Sequence, residues 1–102
     1  MRKLLSLLVI AAILAGFAVP AYADVINVNT STMTENKAGD TVVTNSWVIE
    51  TNNGTVVTNE GRVKTNNDTV ETNNWLVEVN NGTVNTNNGI VETNNGTVET
   101  NN

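Results

Sequence analysis

The chain has 102 residues, a formal charge of −5, and neither Cys nor His. Without imidazole or thiol groups it cannot build a Ser-His or Cys-His catalytic pair or an ordinary zinc site, so we expect no enzymatic activity, bound metal or cofactor. Only five Lys and Arg residues are present, which excludes the clustered cations that a nucleic-acid partner requires.

Residues 1–23 have the pattern of a secretory signal peptide. A positive start (1–3) precedes an apolar run (4–18), and an A-x-A cleavage site follows at 21–23. The apolar run is about 15 residues, shorter than the roughly 20 that span a bilayer. We therefore expect cleavage before Asp24, no membrane span afterwards, and export to the periplasm, the cell surface or the extracellular space. An uncleaved N-terminal anchor is the alternative.

Cleavage would leave a chain with a strongly biased amino-acid composition. Asn and Thr fill 36 of the 79 positions in 24–102, ten acidic side chains oppose three basic ones, and Trp47 and Trp75 are the two remaining aromatic residues. The first part of this chain, residues 24–39, alternates apolar residues with Asn only loosely. We expect it to form an entry strand and a polar linker.

Residues 40–102 repeat every seven residues as nine units of the form G-T-V-x-T-N-N. An apolar β-branched residue in each unit is expected to form the structural core, and the Asn three residues later is expected to form turns and, with the Thr before it, a hydrogen-bond ladder. The core positions are Val42, Ile49, Val56, Val63, Val70, Val77, Val84, Val91 and Val98. The Asn positions are Asn45, Asn52, Asn59, Asn66, Asn73, Asn80, Asn87, Asn94 and Asn101.

The seven-residue period is not that of a coiled coil, because only one position in seven is apolar and a helical seam needs two. T-V-x-T is typical of a short strand, and N-N-G is typical of a tight turn, since Asn and Gly tolerate positive φ. Alternate units begin their strands differently: one set has Thr55, Thr69, Thr83 and Thr97, and the interleaved set has Val48, Arg62, Leu76 and Ile90. This alternation predicts a coil of two units.

We therefore predict an all-β fold, a two-sided parallel β-solenoid with 14-residue coils stacked at about 4.8 Å. A four-sided coil of 28 residues would also contain the repeat. An antiparallel β-meander of short hairpins is a second competing fold, and a disordered or fibril-forming chain is a third possibility.

The repeat resembles the short-period β-solenoid repeats of bacterial secreted and surface adhesin-like proteins, over residues 40–102. The resemblance implies a spacer, adhesive or matrix role, with surface glycans or other matrix proteins as partners. Residues 101–102 close a unit without a polar cap, so either the sequence is a fragment of a longer array or its open end stacks on another copy. We therefore also expect self-association by end-to-end stacking. The sequence thus predicts an exported, non-enzymatic structural or adhesive repeat protein, and a functional-amyloid-like matrix protein is one alternative.

A glycan-binding module is the second alternative, and it depends on Trp47 and Trp75. The two residues occupy one column two coils apart, roughly 9.5 Å on such a stack, with Gly61 between them. Two aromatic side chains over a small residue form a platform for sugar rings. The competing interpretation is that each Trp packs over a corner and shields its coil.

The outward positions that follow the core residues are charged. On one face Lys64 falls between Glu50 and Glu78 on neighbouring strands, and we expect these opposite charges to attract. Glu92 lies beside Glu78 without such compensation, so the remainder of this face is expected to be acidic and solvated.

Overall fold

The computed structural model describes residues 23–102 and consists of eleven short strands joined by turns. All but the last residue of the expected signal peptide lie outside the described residues. The strands are β1 (Val25–Asn29), β2 (Met33–Asn36), β3 (Thr41–Asn45), β4 (Val48–Asn52), β5 (Thr55–Asn59), β6 (Arg62–Asn66), β7 (Thr69–Asn73), β8 (Leu76–Asn80), β9 (Thr83–Asn87), β10 (Ile90–Asn94) and β11 (Thr97–Asn101).

Successive strands alternate between two sheets. The odd-numbered strands form a six-stranded sheet in the order β1-β3-β5-β7-β9-β11, and the even-numbered strands form a five-stranded sheet in the order β2-β4-β6-β8-β10. From β3 onwards each residue lies beside its equivalent 14 residues along the chain, as Asn45 lies beside Asn59. Every strand pair is parallel. The predicted two-sided solenoid with 14-residue coils is therefore confirmed, and the meander and the 28-residue coil are excluded.

The core is a double row of apolar side chains, one from each strand and β-branched in every strand except β2, enclosed between the sheets. Seven of the nine predicted positions are completely buried: Val42, Ile49, Val56, Val63, Val70, Val77 and Val84. Val91 and Val98 are partly buried and pack against this cluster, because their strands, β10 and β11, pair on one side only. Branching at Cβ suits this core, since such side chains pack well on a pleated surface.

We expect Val63→Ala to lower the free energy of unfolding by about 2 kcal/mol, because it removes two buried carbon atoms and leaves a cavity between the sheets. Val43→Ala is the matched control. Val43 is 37 % exposed, and its truncation is expected to cost less than about 0.5 kcal/mol. Urea unfolding followed by far-UV circular dichroism measures both values. Equal losses in the two variants would contradict the placement of the core.

Residues 24–39 form a complete first coil. The expected entry strand is β1, which pairs with β3, and the expected linker contains a second strand, β2, which pairs with β4. Met33 occupies the core position of β2, opposite Ile49. The sequence did not indicate β2 because Met replaces the β-branched residue of the repeat and because this coil is two residues longer, with Asn29 and Asn45 16 residues apart.

The two additional residues lie in the turn after β2. The N–H of Asp40 donates to the carbonyl of Lys37 at 3.0 Å, and Gly39 has a φ of 87°. A left-handed residue at the third position of a four-residue turn is the mark of a type II turn, where glycine is favoured. Among residues 23–102, Gly39 is the only one with a positive φ in this region.

The expectation that the glycines of the repeat supply positive φ is therefore wrong, and their role is close approach between coils. A Cβ on Gly61 would lie 2.1 Å from the carbonyl oxygen of Trp47, one coil away. A Cβ on Gly82 would lie 2.0 Å from the carbonyl oxygen of Asp68. Glycine thus allows each turn to stack directly on the backbone of the equivalent turn one coil earlier.

Candidate functional site

The Asn that ends each strand, which is the first of an N-N pair where one is present, lies beside the core and forms a ladder along each sheet; it is buried in β1 to β9 and exposed in β10 and β11. Except in β10 and β11, its side-chain Nδ2 donates to the Oδ1 of the equivalent Asn in the next coil, at 2.7 to 2.8 Å. One ladder contains Asn29, Asn45, Asn59, Asn73, Asn87 and Asn101, and the other contains Asn36, Asn52, Asn66, Asn80 and Asn94. The predicted Asn ladder is confirmed and extends into the first coil, through Asn29 and Asn36. We call these two rows the inner ladders.

Asn66 illustrates how completely an inner-ladder amide is bonded. Its Oδ1 accepts from Nδ2 of Asn52 at 2.8 Å, and its Nδ2 donates to Oδ1 of Asn80 at 2.8 Å. The same Nδ2 lies 3.1 Å from the carbonyl oxygen of Asp68 and 3.2 Å from that of Thr83. Since Asn66 is completely buried, these bonds replace the hydrogen bonds to water that its amide loses on folding.

The Thr residues do not contribute a ladder. In the part of the chain that the structure describes, one Thr hydroxyl donates a side-chain hydrogen bond, from Thr69 to the carboxylate of Asp68 at 3.1 Å. The Thr residues that precede the ladder Asn, such as Thr65, are half-buried. The expectation that Thr shares the ladder with Asn is therefore wrong. A hydroxyl carries its donor and acceptor on one atom, which does not span the roughly 4.8 Å between coils, whereas a carboxamide carries them on two separate atoms.

The second Asn of the pair forms a further ladder that the repeat pattern did not predict. Asn67 donates from Nδ2 to Oδ1 of Asn53 at 2.9 Å, and Asn81 donates to Asn67 at 3.0 Å. These outer ladders lie on the exposed side of the turns, and their bonds point from each coil to the one before it. The inner ladders point the other way, so the amide dipoles of the two rows offset each other along the stack.

Trp47 and Trp75 line one cleft on the corner that precedes the even-numbered strands. The cleft has a volume of about 280 Å³, and Gly61 lies between the two Trp residues. Their side chains are 57 % and 59 % exposed, respectively. The structure thus brings the two predicted residues together, and more than half of each side chain faces solvent instead of covering the coil.

Charged side chains line the same cleft on both sides of Gly61. Glu60 and Arg62 both contribute to its walls. The guanidinium of Arg62 also forms an ion pair with the carboxylate of Glu78 on β8. Glu78 is therefore paired with Arg62, and the pairing expected between Lys64 and Glu78 does not form.

The two ends of the stack present complementary groups. β1 and β2 at one end, and β10 and β11 at the other, each pair on one side only. Within residues 23–102, no Nδ2 donates to the Oδ1 of Asn29 or Asn36, and no further Asn accepts from the Nδ2 of Asn94 or Asn101. One end therefore offers amide acceptors and the other offers amide donors.

Comparisons of the chain with protein-family models, with curated proteins and with solved structures found no match. Across residues 23–102, no helix is long and apolar enough to cross a membrane.

Proposed function

We propose that the protein is an exported, non-enzymatic structural repeat protein whose copies associate end to end. The signal-peptide pattern of residues 1–23 supports export. The inner ladders are the observation that carries the structural role, because they join every coil to the next in one direction through hydrogen bonds of 2.7 to 2.8 Å. A second copy placed on the stack continues the same bonding pattern.

The complementary ends support head-to-tail stacking over other modes of contact. The amide donors of Asn94 and Asn101 at one end match the acceptors of Asn29 and Asn36 at the other. The core continues as well, because Ile26 and Met33 at one end and Val91 and Val98 at the other are partly buried. An interface between unlike surfaces does not close on itself in a straight stack, so it generates filaments.

The same parallel stacking occurs in cross-β fibrils, which makes functional amyloid the alternative. The two differ in the height that each chain occupies along the axis. In the proposed filament each copy contributes five to six coils at about 4.8 Å apiece. In a fibril of extended chains each copy contributes a single layer. Mass per length, measured by scanning transmission electron microscopy, separates them.

Val98→Lys and Ile26→Lys test the proposal by blocking opposite ends of the stack. Val98 lies on β11 and Ile26 on β1, and both pack against the core from an end. Lysine at either position places a charge where the next copy would bury an apolar side chain. We expect the unmodified protein to form longer particles as concentration rises in sedimentation velocity, and each variant alone to remain monomeric with an unchanged far-UV spectrum.

A mixture of the two variants makes the test specific. Each variant keeps one intact end, and the two intact ends are complementary, so a 1:1 mixture is expected to form dimers and nothing larger. Val43→Lys, on the exposed face of β3, is the control and should assemble like the unmodified protein. Growth of either end variant alone, or a mixture that stays monomeric while the unmodified protein assembles, would contradict head-to-tail stacking.

A further inference from the structure

We propose that the cleft between Trp47 and Trp75 binds a neutral oligosaccharide laid along the coil axis. This binding site goes beyond the proposed structural role and does not depend on it. Four features support it: the exposure of the two Trp side chains, the glycine floor between them, the charges of the walls and the spacing along the stack.

The two Trp side chains are the largest apolar groups exposed on this surface. They are the only aromatic residues in 24–102, and 57 % and 59 % of their side chains face solvent. Most of the surrounding surface consists of Thr, Asn and charged residues. A large aromatic side chain contributes most to the free energy of folding or binding when it is covered. Two such side chains facing one cleft therefore mark a place where a ligand covers them.

The floor of the cleft is held open by the geometry of the backbone. Gly61 stacks on Trp47 so closely that a Cβ would lie 2.1 Å from the Trp47 carbonyl oxygen. Gly61 itself therefore adds no side chain to the space between the two Trp residues. The repeated order Trp47, Gly61, Trp75 and Gly89 places an open position after each Trp, and Gly89 is equally close to Trp75, at 2.0 Å.

The charges in the cleft favour a neutral ligand over an anion. Glu60 and Arg62 flank Gly61 in sequence and both line the cleft. The guanidinium of Arg62 is already paired with Glu78, so an anion finds no unpaired cation there and is repelled by the carboxylate of Glu60. A saccharide has no net charge to oppose either group. Its hydroxyls donate to carboxylate oxygens and accept from N–H groups, while its C–H faces contact the aromatic rings. The lining therefore combines the two kinds of surface that a sugar ring requires.

The spacing of the two Trp residues sets the length of the ligand. They lie in one column with a single coil between them, which corresponds to roughly 9.5 Å along the axis. A ligand that contacts both side chains at once must run along this axis and cover Gly61. A chain of several sugar rings meets this requirement, and it gains affinity over a monosaccharide because both contacts belong to one molecule.

Intrinsic fluorescence reports on this cleft selectively, since Trp47 and Trp75 are the two Trp residues of the whole chain. We would titrate the protein with cellotetraose, chitotetraose and xylotetraose, with the corresponding monosaccharides, and with choline chloride and sodium phosphate as charged probes. At least one tetrasaccharide is expected to produce a saturable change in emission, with an affinity on the order of tenfold or more above that of its monosaccharide. The charged probes are expected to produce none.

Variants of Trp75 identify the contact. Trp75→Leu is expected to abolish saturable binding with Trp47 as the remaining reporter, and Trp75→Phe to retain part of the affinity. Ile90→Ala is the matched control, because Ile90 is also exposed, at 53 %, and does not line the cleft; it should bind as the unmodified protein does. All variants should keep the same far-UV spectrum and the same sedimentation behaviour, which separates this test from that of assembly.

Three results would overturn the proposal: no saturable change with any tetrasaccharide, tetrasaccharide binding that survives Trp75→Leu, or tighter binding of choline than of every sugar. The third would identify the cleft as a site for organic cations, which aromatic side chains also bind.

Discussion

Asn66→Ala is expected to lower the free energy of unfolding by about 3 to 4 kcal/mol, one of the two largest effects of a single substitution in this chain. Asn66 is completely buried in β6, in the middle of its ladder. Its removal leaves Oδ1 of Asn80 without a donor and interrupts the row between Asn52 and Asn80. A buried acceptor without a donor keeps its full desolvation cost.

The neighbouring residue provides a matched control for this prediction. Asn67 has the same side chain and belongs to the exposed outer ladder, where it is bonded to Asn53 and Asn81 at 2.9 and 3.0 Å. Water can replace those bonds, so we expect Asn67→Ala to cost less than about 1 kcal/mol. Urea unfolding of both variants measures the difference, and equal costs would show that burial of the inner ladder does not stabilise the fold.

The variant Asn66→Asp is expected to have a stability that depends on pH. The substitution places a carboxylate oxygen where Nδ2 now faces the oxygens of Asn80, Asp68 and Thr83. Burial among acceptors raises the pKa of the new carboxyl in the folded state, so the variant loses stability as pH rises above about 4, the ordinary value for Asp. In acid the protonated group donates one hydrogen bond, and the penalty becomes smaller. A destabilisation that does not change with pH would contradict this account.

Gly82→Ala is expected to cause the second large effect, a decrease of about 3 kcal/mol or more in the free energy of unfolding. The added Cβ would lie 2.0 Å from the carbonyl oxygen of Asp68, which also accepts the N–H of Thr83 at 2.7 Å. The obstructing atom belongs to the backbone, so no side-chain rotation relieves the contact. The coils must separate at this turn, which weakens the hydrogen bonds between β7 and β9.

Gly39→Ala distinguishes this mechanism from ordinary glycine strain. A Cβ on Gly39 would meet nothing within 4 Å. The loss of stability in Gly39→Ala therefore comes only from its φ of 87°, and we expect it to be about 1 to 2 kcal/mol. Thermal unfolding of the two variants should therefore rank Gly82→Ala as the more damaging. The reverse order would mean that close approach between turns does not constrain the stack.

The coil length, the core and the inner ladder could be predicted because they follow directly from the seven-residue period. A residue that recurs at Val56, Val63 and Val70 must face the same environment in each strand, and the interior of a coil suits a column of valines. The Asn three residues later then falls at the corner of the coil, where a carboxamide bonds to its equivalent in the next coil.

Features that depend on distances between coils could not be read from the sequence. The second position of the N-N pair is Ser46 and Glu60 in two of the nine units, so the sequence singles out the first Asn, but it does not reveal the outer ladder or the direction of the bonds in either row. Arg62 and Lys64 both face outward from β6, and the reach of each side chain decides which of them pairs with Glu78. The glycine requirement at Gly82 likewise becomes evident only when the neighbouring turn is in place.

Hydrogen exchange of the Asn side-chain amides, followed by NMR on the assembled coils, tests most directly whether buried asparagine ladders hold the solenoid together. We predict slow exchange for the inner-ladder Nδ2 protons of Asn52, Asn66 and Asn80, since these residues are completely buried, and fast exchange for those of Asn67 and Asn81 on the exposed turns. Equally fast exchange in both sets would contradict a solenoid held together in this way.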